Sequence, residues 1–343
     1  MFGSRKGGLV ALVLATSLAT AAAQVASAQS VEQFYKGKTV EILLGQPPGG
    51  SYDLYARLAA DHLKRFIPGN PNLQVQYKPG GGGATAVALF YDQGPRDGSV
   101  IGLFAETIGH IQLVDPNLGK WKMQDMTYIG SFAGVNAAFV RRKDAPAKTV
   151  DAMKTVTSNM GCTGKTSQSY QSPAMLKNLA GFKFNLICGY PGSAEYVLAL
   201  EKGELDMVSS AWNSWSSAHA QKIAGGDFIP MIQSGLKRHP DLATVPLMQD
   251  LVGDEATKKG LAFASAGAAI GRALIAPPKV PQDRIDALRA AFDKMVKDPE
   301  FLADAKKRSA EIDPTTGAEA QAAMAGIVGA SQEIIAMAVK GME

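Results

Sequence analysis

The stretch "TVEILLGQPPGGSYDLYARLAADHLKRF" (Thr39–Phe66) decides the fold. Its first seven residues form a short apolar run ended by glycine and two prolines, the pattern of a buried strand. From Asp53 onward, Tyr55, Leu58, Ala59, Leu63 and Phe66 recur on one helical face. The chain continues in kind, with a strand at Leu73–Tyr77, a helix near Ala84–Tyr91 and a strand at Val100–Phe104. Such alternation predicts parallel strands joined by right-handed crossovers. The order recurs as a strand at Ser158–Cys162, a helix around Ala174–Ala180 stopped by Gly181, and a strand at Phe182–Cys188. A helix closed by Gly203 and a strand at 204–210 follow. Between the two halves Met126–Arg142 is extended and long enough to pass from one lobe to another. The C-terminal part carries a strand in 271–278 and helical runs at Pro281–Lys297, Glu300–Ser309 and Gly317–Met337. Two α/β lobes leave a cleft between them, and ligands of open α/β sheets sit outside the carboxyl ends of the strands.

The first 28 residues read differently. Arg5 and Lys6 form a basic head, Leu9–Ala23 a mostly apolar run, and Ala26–Ala28 a small-residue cleavage site, so 1–28 is expected to be a secretory signal peptide cut before Gln29. The expected location is the periplasm. Taking Arg5 and Lys6 from the 35 Lys+Arg leaves 33 against 31 Asp+Glu, a net charge of +2. That near-neutral balance argues against nucleic acid as a partner. About 315 remaining residues suggest two domains. In an oxidising compartment Cys162 and Cys188 are expected to form a disulfide, with two buried thiols as the alternative. Two cysteines and four scattered histidines give no metal-ligand cluster, and no cofactor is expected.

Three glycine-rich turns follow strands. The first, "GQPPGGSYD" (Gly45–Asp53), opens a helix, and Gly49 and Gly50 let backbone N–H groups turn toward a ligand. The second, "YKPGGGGA" (Tyr77–Ala84), holds four successive glycines, whose entropic cost suggests a close approach by ligand or backbone. The third, "NMGCTGKTSQS" (Asn159–Ser169), superficially resembles a nucleotide-binding loop. A P-loop needs glycine five residues before Gly164, and Asn159 stands there. The turn suits another anion, with Thr163, Thr166, Ser167 and Ser169 as donors and Lys165 as a point charge; the alternative for Lys165 is a solvated surface lysine.

These residues resemble the periplasmic solute-binding proteins of the tripartite tricarboxylate transporters. The family's Pro-Gly-Gly-x-x-Asp-x-x-Ala-Arg is matched by Pro48, Gly49, Gly50, Asp53, Ala56 and Arg57, and its Pro-Gly-x-Gly-Gly by Pro79–Gly83. Asp97-Gly98, the Tyr190, Gly192, Ser193, Gly203, Asp206 series and Ala243–Asp250 are also similar. The resemblance implies a type II-like clamp, each lobe a mostly parallel sheet flanked by helices and joined by extended crossovers. Lobe 1 is expected in 29–132 plus 236–343 and lobe 2 in 133–235. It also implies a monomeric receptor that takes a small di-, tri- or aromatic carboxylate and delivers it to integral-membrane permease subunits, without enzymatic chemistry. A ligand sensor or a secreted hydrolase are the alternatives. The implied pincers are Gly49, Gly50, Ser51, Tyr52 and Asp53 on one side, and Gly164, Lys165, Thr166, Ser167, Gln168 and Ser169 on the other. Gly82, Gly83, Glu106, Thr107, Tyr190 and Ser193 complete the expected site. Trp212 is a further candidate; with Trp215 it either stacks on an aromatic ligand or packs in the core. Tyr170 replaces the family's histidine, and Pro173 after Ser172 predicts a helix starting later than in relatives.

Overall fold

The computed structural model describes residues 30–343, so the expected leader lies outside the described residues. The strands are β1 Thr39–Leu44, β2 Asn72–Tyr77, β3 Val100–Leu103, β4 Thr127–Ser131, β5 Ala137–Arg142, β6 Ser158–Cys162, β7 Phe184–Cys188, β8 Met207–Ala211, β9 Phe228–Ser234, β10 Ala273–Ala276 and β11 Thr315–Thr316. The longer helices are α1 Ser51–His62, α2 Ala84–Gln93, α3 Gln168–Ala180, α4 Ser193–Glu201, α5 Glu255–Ala264, α6 Gln282–Met295, α7 Pro299–Lys307, α8 Gly317–Val328 and α9 Gln332–Met342.

Two sheets result, ordered β11-β4-β10-β3-β1-β2 and β7-β6-β8-β5-β9. Each is built on a parallel trio with its first strand in the middle: β2-β1-β3 in one lobe, β7-β6-β8 in the other. Beside each trio lies an antiparallel strand delivered by a crossover, β10 in the first sheet and β5 in the second. The sheets are therefore mixed, where mostly parallel ones were expected. A strand that enters from the other lobe arrives without the helical return that would make it parallel. Met126–Arg142 divides into β4 and β5 in different sheets, with 132–136 passing between them.

The two crossovers touch. Phe132 N–H donates to the Arg272 carbonyl at 3.0 Å, and Arg272 N–H to that of Ala133 at 3.1 Å. Gly271, at φ +57°, permits this: a Cβ there would run into the Ala133 carbonyl. Arg272 is thereby fixed in the seam between the lobes.

Apolar faces account for the packing. Tyr55, Leu58, Ala59 and Leu63 are fully buried beneath the first sheet with Ile42, Leu44 and Phe292. In the second lobe Trp215, Leu200 and Val208 form a smaller core. The helical run expected at Gly317–Met337 is two helices, α8 and α9, bent by 81° after Val328. Ser331 caps α9, which restarts the chain in a new direction. Helices α5 and α9, inside the 236–343 segment expected for lobe 1, pack largely on α3 of the second sheet. Tyr170 and Asn178 of α3 donate to the Met342 and Gly341 carbonyls at 3.2 and 3.0 Å.

Candidate functional site

A cavity of about 410 Å³ lies between the lobes at the carboxyl ends of the parallel trios. Its walls include Gly50, Ser51, Tyr52, Gly82, Gly83, Glu106, Ser167, Gln168, Ser169, Tyr190 and Ser193, all expected from sequence. Several helices begin on it, among them α2 after Gly83, and three present the first turns expected to bind. The residues before their first turns, Gly50 for α1, Ser167 for α3 and Gly192 for α4, are all wall residues. None of the three starts has a side-chain cap. Ser167 Oγ instead donates to the Gly164 carbonyl at 2.7 Å and lies 2.8 Å from Ser169 Oγ. A helix start leaves backbone N–H groups without intrahelical acceptors and carries partial positive charge. Three such ends on one cavity are chemically suited to an anion.

Helix α3 reaches the cavity because it begins at Gln168, not after Ser172; Pro173 sits inside it. The first turn is held from outside the helix by β8, Gln168 Nε2 donating to Ser209 Oγ at 2.9 Å, and within the helix by a bond from the same Nε2 to Ser172 Oγ at 3.2 Å. Tertiary bonds thus outweigh the local preference for Pro at a helix start.

Other expected residues support the walls without lining them. Asp53 accepts from Gly49 N at 2.9 Å, from Arg57 Nε at 2.9 Å and from Tyr77 Oη, fixing the first turn. Gly49 needs its positive φ of 96° for that turn. Thr107 and Thr166 latch the lobes: Thr107 Oγ1 donates to the Thr166 carbonyl, and Thr166 Oγ1 to that of Gly81. A Cβ on Gly164 would lie 3.1 Å from Gly82 N, so these glycine turns serve each other's close approach. Lys165 is exposed and off the wall, in keeping with the solvated alternative. Trp212 also leaves the site; its Nε1 donates to Asp241 at 3.0 Å on the far side of the lobe junction. Trp215 is buried against Phe228. Cys162 and Cys188, paired in register on β6 and β7 with Cα atoms 4.4 Å apart, form a disulfide.

Arg272 is the largest omission from the sequence reading. It is 2% exposed, yet on the wall. Its Nη1 donates to Glu106 Oε2 and its Nε to Ser51 Oγ, both at 3.0 Å, with the guanidinium 3.9 Å above the Tyr52 ring. Tyr52 Oη donates to the same Glu106 oxygen. Burial raises the Tyr52 phenol well above its ordinary value, so it stays a neutral donor. Burial alone would lower Arg272, but Tyr52 and Glu106 beside it hold it above its ordinary value. No motif marks Arg272, because 166 residues separate it from Glu106. Gln46, also missed, is a wall residue directly after β1 and was legible as such.

The family model described as "Tripartite tricarboxylate transporter family receptor" matches residues 55–334. Among curated relatives, the UPF0065 protein in the gbd 5' region of Cupriavidus necator is 25% identical over 303 residues, covering 84% of this chain and 83% of that one. Among solved structures, the periplasmic binding protein BugD superposes with a TM-score of 0.70 at 21% identity, covering 90% of this chain and 99% of that one. MatC of Rhodopseudomonas palustris with bound malate gives 0.69 at 18%, covering 89% and 99%. An R. palustris protein with adipate gives 0.68 at 17%, covering 88% and 97%. The structural likenesses concern the fold, a two-lobed α/β clamp. The chain belongs to the tripartite tricarboxylate transporter receptor family, and is a solute-binding receptor rather than an enzyme.

Proposed function

We propose that this family member captures a small carboxylate between its lobes in the periplasm and hands it, as a monomer, to the membrane permease of a tripartite transporter. The observation that carries this is the convergence of three uncapped helix starts, Gly50, Ser167 and Gly192, on one interlobe cavity. A carboxylate supplies the acceptors those amides lack. The fold neighbours that hold malate and adipate support the ligand class. Capture is a hinge closure about the paired crossovers at Ala133 and Arg272, in which α5 and α9 travel with the second lobe. The remainder of 29–132 plus 236–343 is the first lobe. The pincers are Gly50–Tyr52 and Ser167–Ser169.

Mass spectrometry of whatever remains in the cleft after purification tests this directly. A small carboxylic acid that raises the melting temperature when added back supports the reading, since binding stabilises the folded form by mass action. A bound neutral or cationic molecule overturns it. Loss of uptake of that acid on deletion of the permease separates a transport receptor from a sensor.

A further inference from the structure

If the cavity holds a carboxylate, as proposed above, its own side chains limit how many charges that ligand carries. Apart from tyrosines, the ionisable wall residues are Glu106, Glu195 and Arg272, a formal sum of −1. Among the described residues Arg272 is the single cation on the wall, and its charge is paired: Nη1 is 3.0 Å from Glu106 Oε2 and Nε 3.0 Å from Ser51 Oγ. Glu195, in the first turn of α4, adds a second carboxylate whose Oε2 is shut away from solvent with no hydrogen-bond partner. Neighbouring cations do not make up the difference. Lys165 is exposed outside the cavity, and Arg57 is bound to Asp53 and Tyr77 away from it.

A first ligand carboxylate therefore meets the three helix starts, whose donors are neutral amides and hydroxyls. A second would be desolvated with no unpaired cation on the wall to meet it and with Glu106 and Glu195 in that wall. Much of the remaining wall is apolar, including Pro47, Pro79, Val135, Ala137 and Ala211, and suits a hydrocarbon body.

We propose that this cleft selects singly charged carboxylates with an apolar body over di- and tricarboxylates, and that the Arg272–Glu106 pair sets the preference by neutralising the one cation within the protein. Matched acids that differ by one carboxylate test it: hexanoate against adipate, and benzoate against terephthalate, by isothermal titration calorimetry of the mature chain. The monoanion of at least one pair is expected to bind tenfold or more tightly than its dianion. Glu106→Gln, which leaves the Arg272 charge uncompensated, is expected to shift that ratio toward the dianion by tenfold or more. A wild-type dianion that binds as tightly as its monoanion overturns the selectivity, with no variant needed. A ratio unmoved in a folded Glu106→Gln protein overturns the role of the pair. Flat titrations with all four acids count against the carboxylate reading itself, and this preference falls with it.

Discussion

Helix starts in the C-terminal third and helix starts around the cleft are built in opposite ways. Asp254, Asp298, Thr316 and Ser331 each place a side-chain oxygen on a first-turn amide of α5, α7, α8 and α9. Gly50, Ser167 and Gly192 leave α1, α3 and α4 open. The exception in the C-terminal third is α6, preceded by Pro281, whose side chain has no acceptor. A cap fills the place a ligand would take. Where a helix end meets solvent, self-capping adds stability; where it meets the cavity, leaving the end open keeps it free for an anion at some cost in stability of the empty protein.

The largest test of this contrast is to close a cleft helix with its own cap. Gly50 has φ −96° and ψ −179°, which any residue adopts, and a Cβ there meets only Ser193 Oγ at 3.1 Å. Gly50→Asp is expected to abolish ligand binding, a loss of at least a thousandfold or about 4 kcal/mol, while the empty protein melts no lower than wild type. Retained affinity in calorimetry would break the comparison. Next comes the device that supports the cleft in place of caps. The disulfide ties Cys162, before the α3 turn, to Cys188, before the Tyr190 turn. Replacing both cysteines by serine is expected to cost about 3 kcal/mol in denaturant unfolding.

Removing a cap from the other region has a smaller effect. Thr316→Ala is expected to cost about 1 kcal/mol of stability and to leave ligand affinity as it was. This helix start also has a pH signature. Hydrogen bonds from the Thr316 amide and hydroxyl hold Glu319 below its ordinary value. A depressed folded value means the contribution is present above the unfolded value and is lost as pH falls through the folded one. The stability gap between wild type and Thr316→Ala should therefore narrow below about pH 4; a gap constant to pH 3 would show that the Thr316 hydroxyl contributes nothing through Glu319. The smallest effect is expected at Lys165→Ala, an exposed side chain off the cavity wall, with affinity unchanged within about twofold. A larger loss would return Lys165 to the site.

Much of this was legible in order along the chain. Strands β1, β2, β3, β6, β7 and β8 fell where short runs alternated with helical spacing, and glycine directly follows β1 and β7. The Gly50–Tyr52 and Ser167–Ser169 turns were legible because they follow those strands directly. The helical period could not show that Gly317–Met337 breaks after Val328, since both halves are apolar enough to continue and the bend depends on what each packs against. Nor could it separate Trp212 and Trp215 from a ligand, because an aromatic residue at helical spacing suits a core and a cleft equally.

By itself the sequence determined the alternation of strand and helix, the two βαβ halves and the glycine turns. Local spacing and backbone freedom govern these, and both are written residue by residue. Tertiary structure alone decided that α3 begins at Gln168, held by Ser209, and that α5 and α9 pack on the second lobe. It alone brought Arg272 across 166 residues to Glu106 in the seam. The physical reason is that burial and charge pairing act through distances in space, and two chain crossovers set those distances.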